Sequence, residues 1–344
     1  MKIKSVNGLI LLSNIIRVIT DFMFPKKVLL LGGNGPMAIK LMQFLQKKNC
    51  DIVPTVRSNT SMIQQILINK FNGCVCNSDE DYNLILNKFQ PDYVINTIPQ
   101  PSNELLKSIL NQKNCFKINF SSPASDFAKT YPEKCPNGSY QMDKLEMEKL
   151  VNSHSKINKD AIVFQIGFIS ELVILDCIKD DKSQTSTFSY AEPICSGLSF
   201  DTMLKCNLVK FDKIQIPDFD LSKGFTCTPI DNICKLVGDI ITNNVTIPDF
   251  AFGRTLAMHS SQIFSRKQIK NILENPNHLN DVPEFYGQKQ LNDITKPVTE
   301  FLSIFDSYKV THQDVSNAII LSGRLFDNPL YHLKFINHNN PSKI

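Results

Sequence analysis

Val28-Leu29-Leu30-Leu31-Gly32-Gly33-Asn34-Gly35-Pro36-Met37-Ala38 runs from a wholly apolar stretch through a glycine-rich turn to a proline suited to the first turn of a helix. Four consecutive apolar residues suit a central parallel strand covered on both faces. The helix that follows is predicted over residues 36–48, with Met37, Leu41, Phe44 and Leu45 on one side. A glycine loop between a buried strand and a helix N-terminus cradles phosphates. Free first-turn N–H groups and the positive end of the helix dipole face the anion, and glycine lets the backbone come close. Gly32 permits the tight turn, Gly35 the close approach to a pyrophosphate, and Ala38 the close packing of helix on strand. Gly32, Asn34, Gly35, Pro36 and Met37 are therefore candidate dinucleotide-binding residues.

Outward from this stretch the chain alternates. Strands are predicted over 51–56, 73–76, 93–97, 116–120 and 161–168, with helices over 63–70, 82–89 and 140–153. Such alternation predicts right-handed βαβ units and an α/β Rossmann fold, a doubly wound parallel sheet. Beyond residue 170 the alternation weakens. Strand-like segments at 187–190 and 213–216 mix with helices at 230–241 and 266–273, read as a smaller C-terminal substrate-binding lobe. The expected division is an N-terminal segment at 1–25, the dinucleotide-binding domain at 26–180 and the lobe at 181–344, with a soft boundary between the last two.

The second predicted strand ends Val56-Arg57-Ser58-Asn59, without the carboxylate that selects for the ribose hydroxyls of NAD. A guanidinium there suits a 2′-phosphate, so Arg57 and Ser58 favour NADP(H) over NAD(H). Tyr140 and Lys144, four apart on a predicted helix, put a phenol and an ammonium on one face. A nearby lysine is expected to bring the phenol, ordinarily near pKa 10, toward a useful range for proton transfer. Upstream, Ser121 and Ser122 end a predicted parallel strand at the carboxyl side, where ligands bind. Ser122 is the first choice as a hydrogen-bond donor to substrate, and Ser121 the second.

Together these motifs resemble the extended short-chain dehydrogenase/reductase family, also called the NAD(P)-dependent epimerase/dehydratase family. Gly32-x-x-Gly35-x-x-Ala38 is similar to its TGxxGxxG loop, with Leu31 for Thr and Ala38 for the last Gly. Ser122, Tyr140 and Lys144 match its Ser/Tyr/Lys triad, and Lys144-Leu145-Glu146-Met147-Glu148 its KLxxE continuation. Gln165-Ile166-Gly167-Phe168 lies where the family carries an RPG-like segment, and Phe225 to Ile233 resembles its F-x-x-V-D-D element. Thr97-Ile98-Pro99-Gln100 replaces the family's small alanines, and Asp143 its Ser or Ala before the lysine. The resemblance implies that Ile98 and Gly167 line the nicotinamide end of the cofactor and that Ser122, Tyr140 and Lys144 are catalytic. It implies an oxidoreductase or epimerase acting by hydride transfer, with a nucleotide-diphosphate sugar as the favoured substrate. A homodimer, paired through the helix that carries Tyr140, is also implied. The alternatives are a sterol-type (3-beta-hydroxysteroid-like) dehydrogenase and a non-catalytic NADP-binding sensor or scaffold.

Composition fits a globular protein: 42% hydrophobic and 20% charged residues over 344 positions. A net charge of +4, with no basic run interleaved with aromatics, gives nucleic-acid binding no support. The ten cysteines contain no CxxC pair and read as free thiols in a reducing, cytoplasmic compartment. With six scattered histidines, no metal site is expected. Leu9 to Phe24 is apolar, yet Ser13, Asn14, Arg17, Thr20 and Asp21 share one helical face. The stretch is too short and too charged to span a bilayer. It is expected to be an amphipathic helix docked on protein, with peripheral membrane contact the less favoured alternative.

Overall fold

A computed structural model describes residues 25–58, 62–167, 172–176, 189–193, 209–210, 213–214, 224–226, 228–259 and 263–265, with five positions between 310 and 317. The expected N-terminal helix, the expected helix at 266–273 and most of the C-terminal lobe lie outside the described residues. Strands β1 (Lys27–Leu31), β2 (Asp51–Val56), β3 (Cys74–Val75), β4 (Tyr93–Asn96), β5 (Phe116–Ser121) and β6 (Ala161–Gln165) follow the predicted order. Between them run α1 (Pro36–Gln46), α2 (Met62–Phe71), α3 (Asp79–Phe89), α4 (Asn103–Leu110), α5 (Ala124–Thr130) and α6 (Tyr140–Asn158). Farther along come β7 (Leu172–Asp176), β8 (Ser189–Pro193), β9 (Val209–Lys210), β10 (Lys213–Ile214), β11 (Gly224–Thr226), α7 (Ile230–Ile241), β12 (Thr255–Ala257) and β13 (Ile263–Ser265).

Seven strands form one parallel sheet in the order β12-β6-β5-β4-β1-β2-β3. The chain runs outward from β1 through β2 and β3, then crosses back to β4. Loops leaving the carboxyl ends of β1 and β4 therefore diverge, which opens a crevice between them. Period two in each strand sorts side chains to the two faces. Val28, Leu30, Ile95, Ile118 and Phe164 pack with Leu41 and Leu45 of α1, Leu67 of α2 and Ile233 and Val237 of α7. Leu29, Leu31 and Val94 meet α3 and α4 on the other face through Leu86, Leu105 and Ile109. Val163 and Ala161 meet Met147 and Val151 of α6 there. Two elements from beyond residue 180, α7 and β12, thus complete the body built on the glycine-loop strand.

Helix α3 begins three residues earlier than the periodicity alone predicts, because Ser78 and Asp81 form a reciprocal capping box that holds its first turn. Lys117 is fully buried at the amino end of β5, where it donates to Asp160 Oδ2 at 2.6 Å and to the Gln112 carbonyl at 2.7 Å. This pair lies at the opposite end of the sheet from the crevice and locks β5 to the start of β6. The described cysteines 50, 74, 76, 115, 135 and 234 are all free thiols. Among the described residues no helix is long and apolar enough to cross a membrane, and no cluster of three metal-ligating side chains occurs.

Candidate functional site

The glycine loop is braced from both neighbouring strands. Gly32 has φ +78°, a left-handed conformation that favours glycine, and a Cβ there would lie 3.0 Å from Thr97 Oγ1. Its N–H donates to Thr55 Oγ1 at 3.2 Å, and Gly33 N–H donates to the Thr55 carbonyl at 2.7 Å. From the β4 side, the Thr97 hydroxyl donates to the Leu31 carbonyl at 2.6 Å. Gly33 closes the packing: a Cβ there would come 2.7 Å from Pro54 Cβ. Thr55 and Thr97 carry no family signature, and sequence reading does not pick out their hydroxyls as loop supports.

Gly35 behaves differently. It is the N-cap of α1 with φ −77°, and a Cβ there would meet nothing closer than the Gly32 carbonyl at 3.7 Å. The fold itself has no need of glycine at this position. No side chain caps α1, its first turn holds no acid, and Pro36 occupies the first turn. The orphan N–H groups of that turn are thus left to face the crevice. These residues fit a dinucleotide's pyrophosphate. Asn34 is exposed at the loop tip, whereas the Met37 side chain is buried in the core, so Met37 has only its backbone to offer a ligand.

The remaining expected cofactor contacts are unequal. Arg57 is exposed at the end of β2, close enough to Tyr82 for its charge to act on that phenol. Ser58 donates to Gln64 Oε1 at 2.8 Å, which anchors the loop to α2. Ile98 turns its side chain into the core with Leu29, Leu31 and Leu105, and its N–H donates to Asn96 Oδ1 at 3.1 Å. The Gly167 N–H donates to Thr228 Oγ1 at 2.8 Å, and Thr228 in turn donates to the Met258 carbonyl at 2.6 Å. That chain ties the end of β6 to the segments flanking α7 and β12.

Ser122, Tyr140 and Lys144 come together at the carboxyl end of β5. Ser139 caps α6 by accepting from the Met142 N–H at 3.4 Å, which fixes the turn that presents Tyr140. The Tyr140 phenol hydrogen-bonds Ser122. Lys144 Nζ lies 5.7 Å from the centre of the Tyr140 ring and donates to the Phe120 carbonyl at 3.0 Å. Ser121, the second choice, faces the other way and donates to buried Glu148 at 2.5 Å. The strand's alternation decides between the two serines: Ser121 points under α6 and Ser122 follows the last strand residue into the crevice.

One electrostatic expectation is reversed. Burial pushes the Tyr140 phenol above its ordinary value, and its bond to Ser122 pulls it only part of the way back. Lys144 does not act as expected because its ammonium lies against the ring face, engaged by the Phe120 carbonyl. Burial takes Lys144 itself down to about 8, against an opposing pull from Glu148. The two departures from the family pattern also prove to be one feature. Gln100 Nε2 donates to Asp143 Oδ2 at 2.6 Å, joining the loop after β4 to α6 one residue before Lys144.

No family profile matches the chain, and no curated protein matches it in sequence. Solved structures do match. An epimerase from the methanogen Methanothermobacter thermautotrophicus superposes with a TM-score of 0.57 at 12% identity, over 93% of this chain and 98% of that one. The UDP-glucose 4-epimerase of Thermotoga maritima, solved with UDP-glucose, gives 0.56 at 12% identity over 88% and 99%. The enzyme WbmH of Bordetella bronchiseptica, in complex with NAD+, gives 0.53 at 12% identity over 88% and 98%. At these identities the likeness is one of fold. The chain has the Rossmann fold of the extended short-chain dehydrogenase/reductases, the family that its motifs resemble.

Proposed function

We propose that this chain is a nicotinamide-dependent oxidoreductase or epimerase of the short-chain dehydrogenase type, acting by hydride transfer on a nucleotide-diphosphate sugar and preferring NADP(H). The observation that carries this reading is the meeting of Ser122, Tyr140 and Lys144 in the crevice that the glycine loop borders. Further support comes from the fold shared with an epimerase solved with UDP-glucose and an enzyme solved with NAD+. A bound nicotinamide supplies the hydride acceptor or donor. Tyr140 Oη holds the proton that leaves or joins the substrate oxygen, and Ser122 Oγ is a second donor to that oxygen. Lys144 presents a positive charge to the Tyr140 ring, and α1 and Arg57 hold the phosphates.

Tyr140→Phe removes one oxygen from a half-exposed ring and leaves the loop and α1 untouched. Turnover is expected to fall by at least about 100-fold with cofactor binding nearly unchanged. Turnover equal to the parent protein's would remove Tyr140 from the chemistry. The cofactor preference has its own test, a fluorescence titration with NADPH and NADH. Arg57→Ala is expected to weaken NADPH by about 10-fold or more and leave NADH alone, because only the 2′-phosphate meets the guanidinium. Equal weakening of both would make Arg57 a general support of the loop.

A further inference from the structure

Helix α6 carries a second buried charge, one turn beyond Lys144. Glu148 is 2% exposed, and both carboxylate oxygens are occupied. Oε1 accepts from Ser121 Oγ and from Ser125 Oγ, each at 2.5 Å, and Oε2 accepts from Lys129 Nζ at 2.9 Å. Three donors, one of them cationic, thus converge on one carboxylate.

Its partners flank Ser122 on both sides. Ser121 is the last residue of β5. Ser125 lies in the first turn of α5, where its N–H donates to the Ser122 carbonyl at 3.0 Å. The Ser122 hydroxyl itself accepts from the Ala124 N–H at 3.3 Å. The strand-to-helix turn that presents Ser122 is thus gripped from below at both ends by one side chain. The same carboxylate acts through space on Lys144 four residues earlier, whose ammonium donates to the Phe120 carbonyl and lies over the Tyr140 ring.

We propose that Glu148 is a positioning residue shared by both arms of the site: it clamps the turn that presents Ser122 and offers the buried Lys144 ammonium its counter-charge. Lys129 tempers that field, because it neutralises part of the carboxylate from the far side. The proposal rests on the reading of Ser122 and Lys144 as site groups. Other charged or titratable neighbours are few. Helix α5 contributes Lys129 and Asp126, which are paired at 3.0 Å, and α6 contributes Tyr140 and Asp143. Strand β5 contributes only the Phe120 carbonyl and the serines. Strand β6 contributes uncharged Gln165, which donates to Asp126 Oδ2 at 2.7 Å.

Two substitutions then act on Lys144 with opposite signs. Glu148→Gln keeps the shape and removes the attraction, so the lysine titrates lower, by about a unit. Lys129→Met removes a repelling charge and strengthens the carboxylate's hold, so the lysine titrates higher, by about half a unit. The double variant removes both charges and returns the titration near the parent's. A purely structural role would make the single effects alike in sign and the double variant worse than either.

The test is a pH titration of the Lys144 Cε resonance in isotopically labelled full-length protein, with Lys144→Met to assign it, beside the pH profile of kcat/KM. Opposite resonance shifts, together with an alkaline limb of the profile that moves down in Glu148→Gln and up in Lys129→Met, are the expected result. Shifts of one sign, or none, overturn the proposal even where turnover is normal. Opposite shifts in a protein without turnover leave the electrostatic arrangement standing and sink the proposed function instead. If Glu148→Gln fails to fold, the upward shift in Lys129→Met decides alone.

Discussion

Lys144→Met is expected to give a more stable protein with no measurable turnover. Lys144 is 4% exposed, and burial holds its ammonium near 8, well below the 10.5 of a free lysine. At pH 7 it is charged in both the folded and the unfolded chain, so the folded state carries the full cost of that buried charge. A depression of this size corresponds to about 3 kcal/mol. Losing the hydrogen bond to the Phe120 carbonyl returns about 1 kcal/mol of it. Methionine fills similar volume with no charge, so a net gain of about 2 kcal/mol is expected. The pH dependence fixes the sign. Between about 8 and 10.5 the unfolded chain still binds a proton that the folded protein has released, so the parent's stability rises with pH across that window. The variant's advantage is therefore largest below pH 8 and gone above 10.5. Urea unfolding of both proteins at pH 7 and pH 10.5 measures it. A variant less stable than the parent at pH 7 would mean that Lys144 is a structural residue held by its contacts rather than a charge retained for chemistry.

Such a penalty is legible only in three dimensions. The sequence gives the spacing of Tyr140 and Lys144 and so their common helix face, but not what lies under that face. Lys117 makes the contrast: it is more deeply buried than Lys144, yet it has Asp160 within 2.6 Å. Neither its burial nor its partner, 43 positions away, leaves a mark on the local pattern. The Glu148 hub is hidden in the same way. Its partners lie on β5 and α5, and what brings them together is the crossover that lays α6 against the sheet. Glu148 does sit in the KLxxE-like continuation, which is the one sequence signal that singles it out.

Strands were easier to read than short helices. The apolar runs at Val28–Leu31 and Val94–Ile95 suit interior strands, and their alternation with helices implies right-handed crossovers and a parallel sheet, whereas the strand order itself is seen only in the structure. Helices α4 and α5 are absent from the periodicity reading: α5 spans only seven residues, too short to establish a 3.6-residue period, whereas α4 does carry Leu105, Leu106, Ile109 and Leu110 at helical spacing on its buried face. Helix α4 is nonetheless required, because parallel neighbours β4 and β5 need a crossover between them. Its cap is Ser102, which accepts from the Leu105 N–H at 3.0 Å. Gln100 and Asp143 teach a related lesson. Read singly, each is a departure from a family pattern, and only their 2.6 Å contact makes them one feature.

Gly35→Ala is the second large effect expected, and it separates a phosphate cradle from a plain turn. Three neighbouring glycines have different reasons to be glycine. Gly32 is held at φ +78°, and Gly33 leaves no room beside Pro54, so alanine at either strains the protein itself. Gly35 has an ordinary φ of −77°, and its Cβ would make only ordinary contact with the Gly32 carbonyl at 3.7 Å. Alanine there is expected to change stability by no more than about 1 kcal/mol, because a less flexible unfolded chain offsets alanine's poorer fit at an N-cap. The added methyl would instead occupy the approach to the uncapped N-terminus of α1, the place read as receiving the pyrophosphate. Affinity for NADPH and NADH should fall together, by about 100-fold, since both carry the same pyrophosphate. Thermal unfolding and a nicotinamide fluorescence titration on one preparation read both quantities. An alanine variant that folds normally and binds either cofactor as tightly as the parent would show that nothing approaches Gly35, and the loop would then be only a turn. An unchanged melting temperature beside lost binding would assign the glycine to the ligand rather than to the fold, a distinction that Gly32 and Gly33 cannot provide because the protein needs them first.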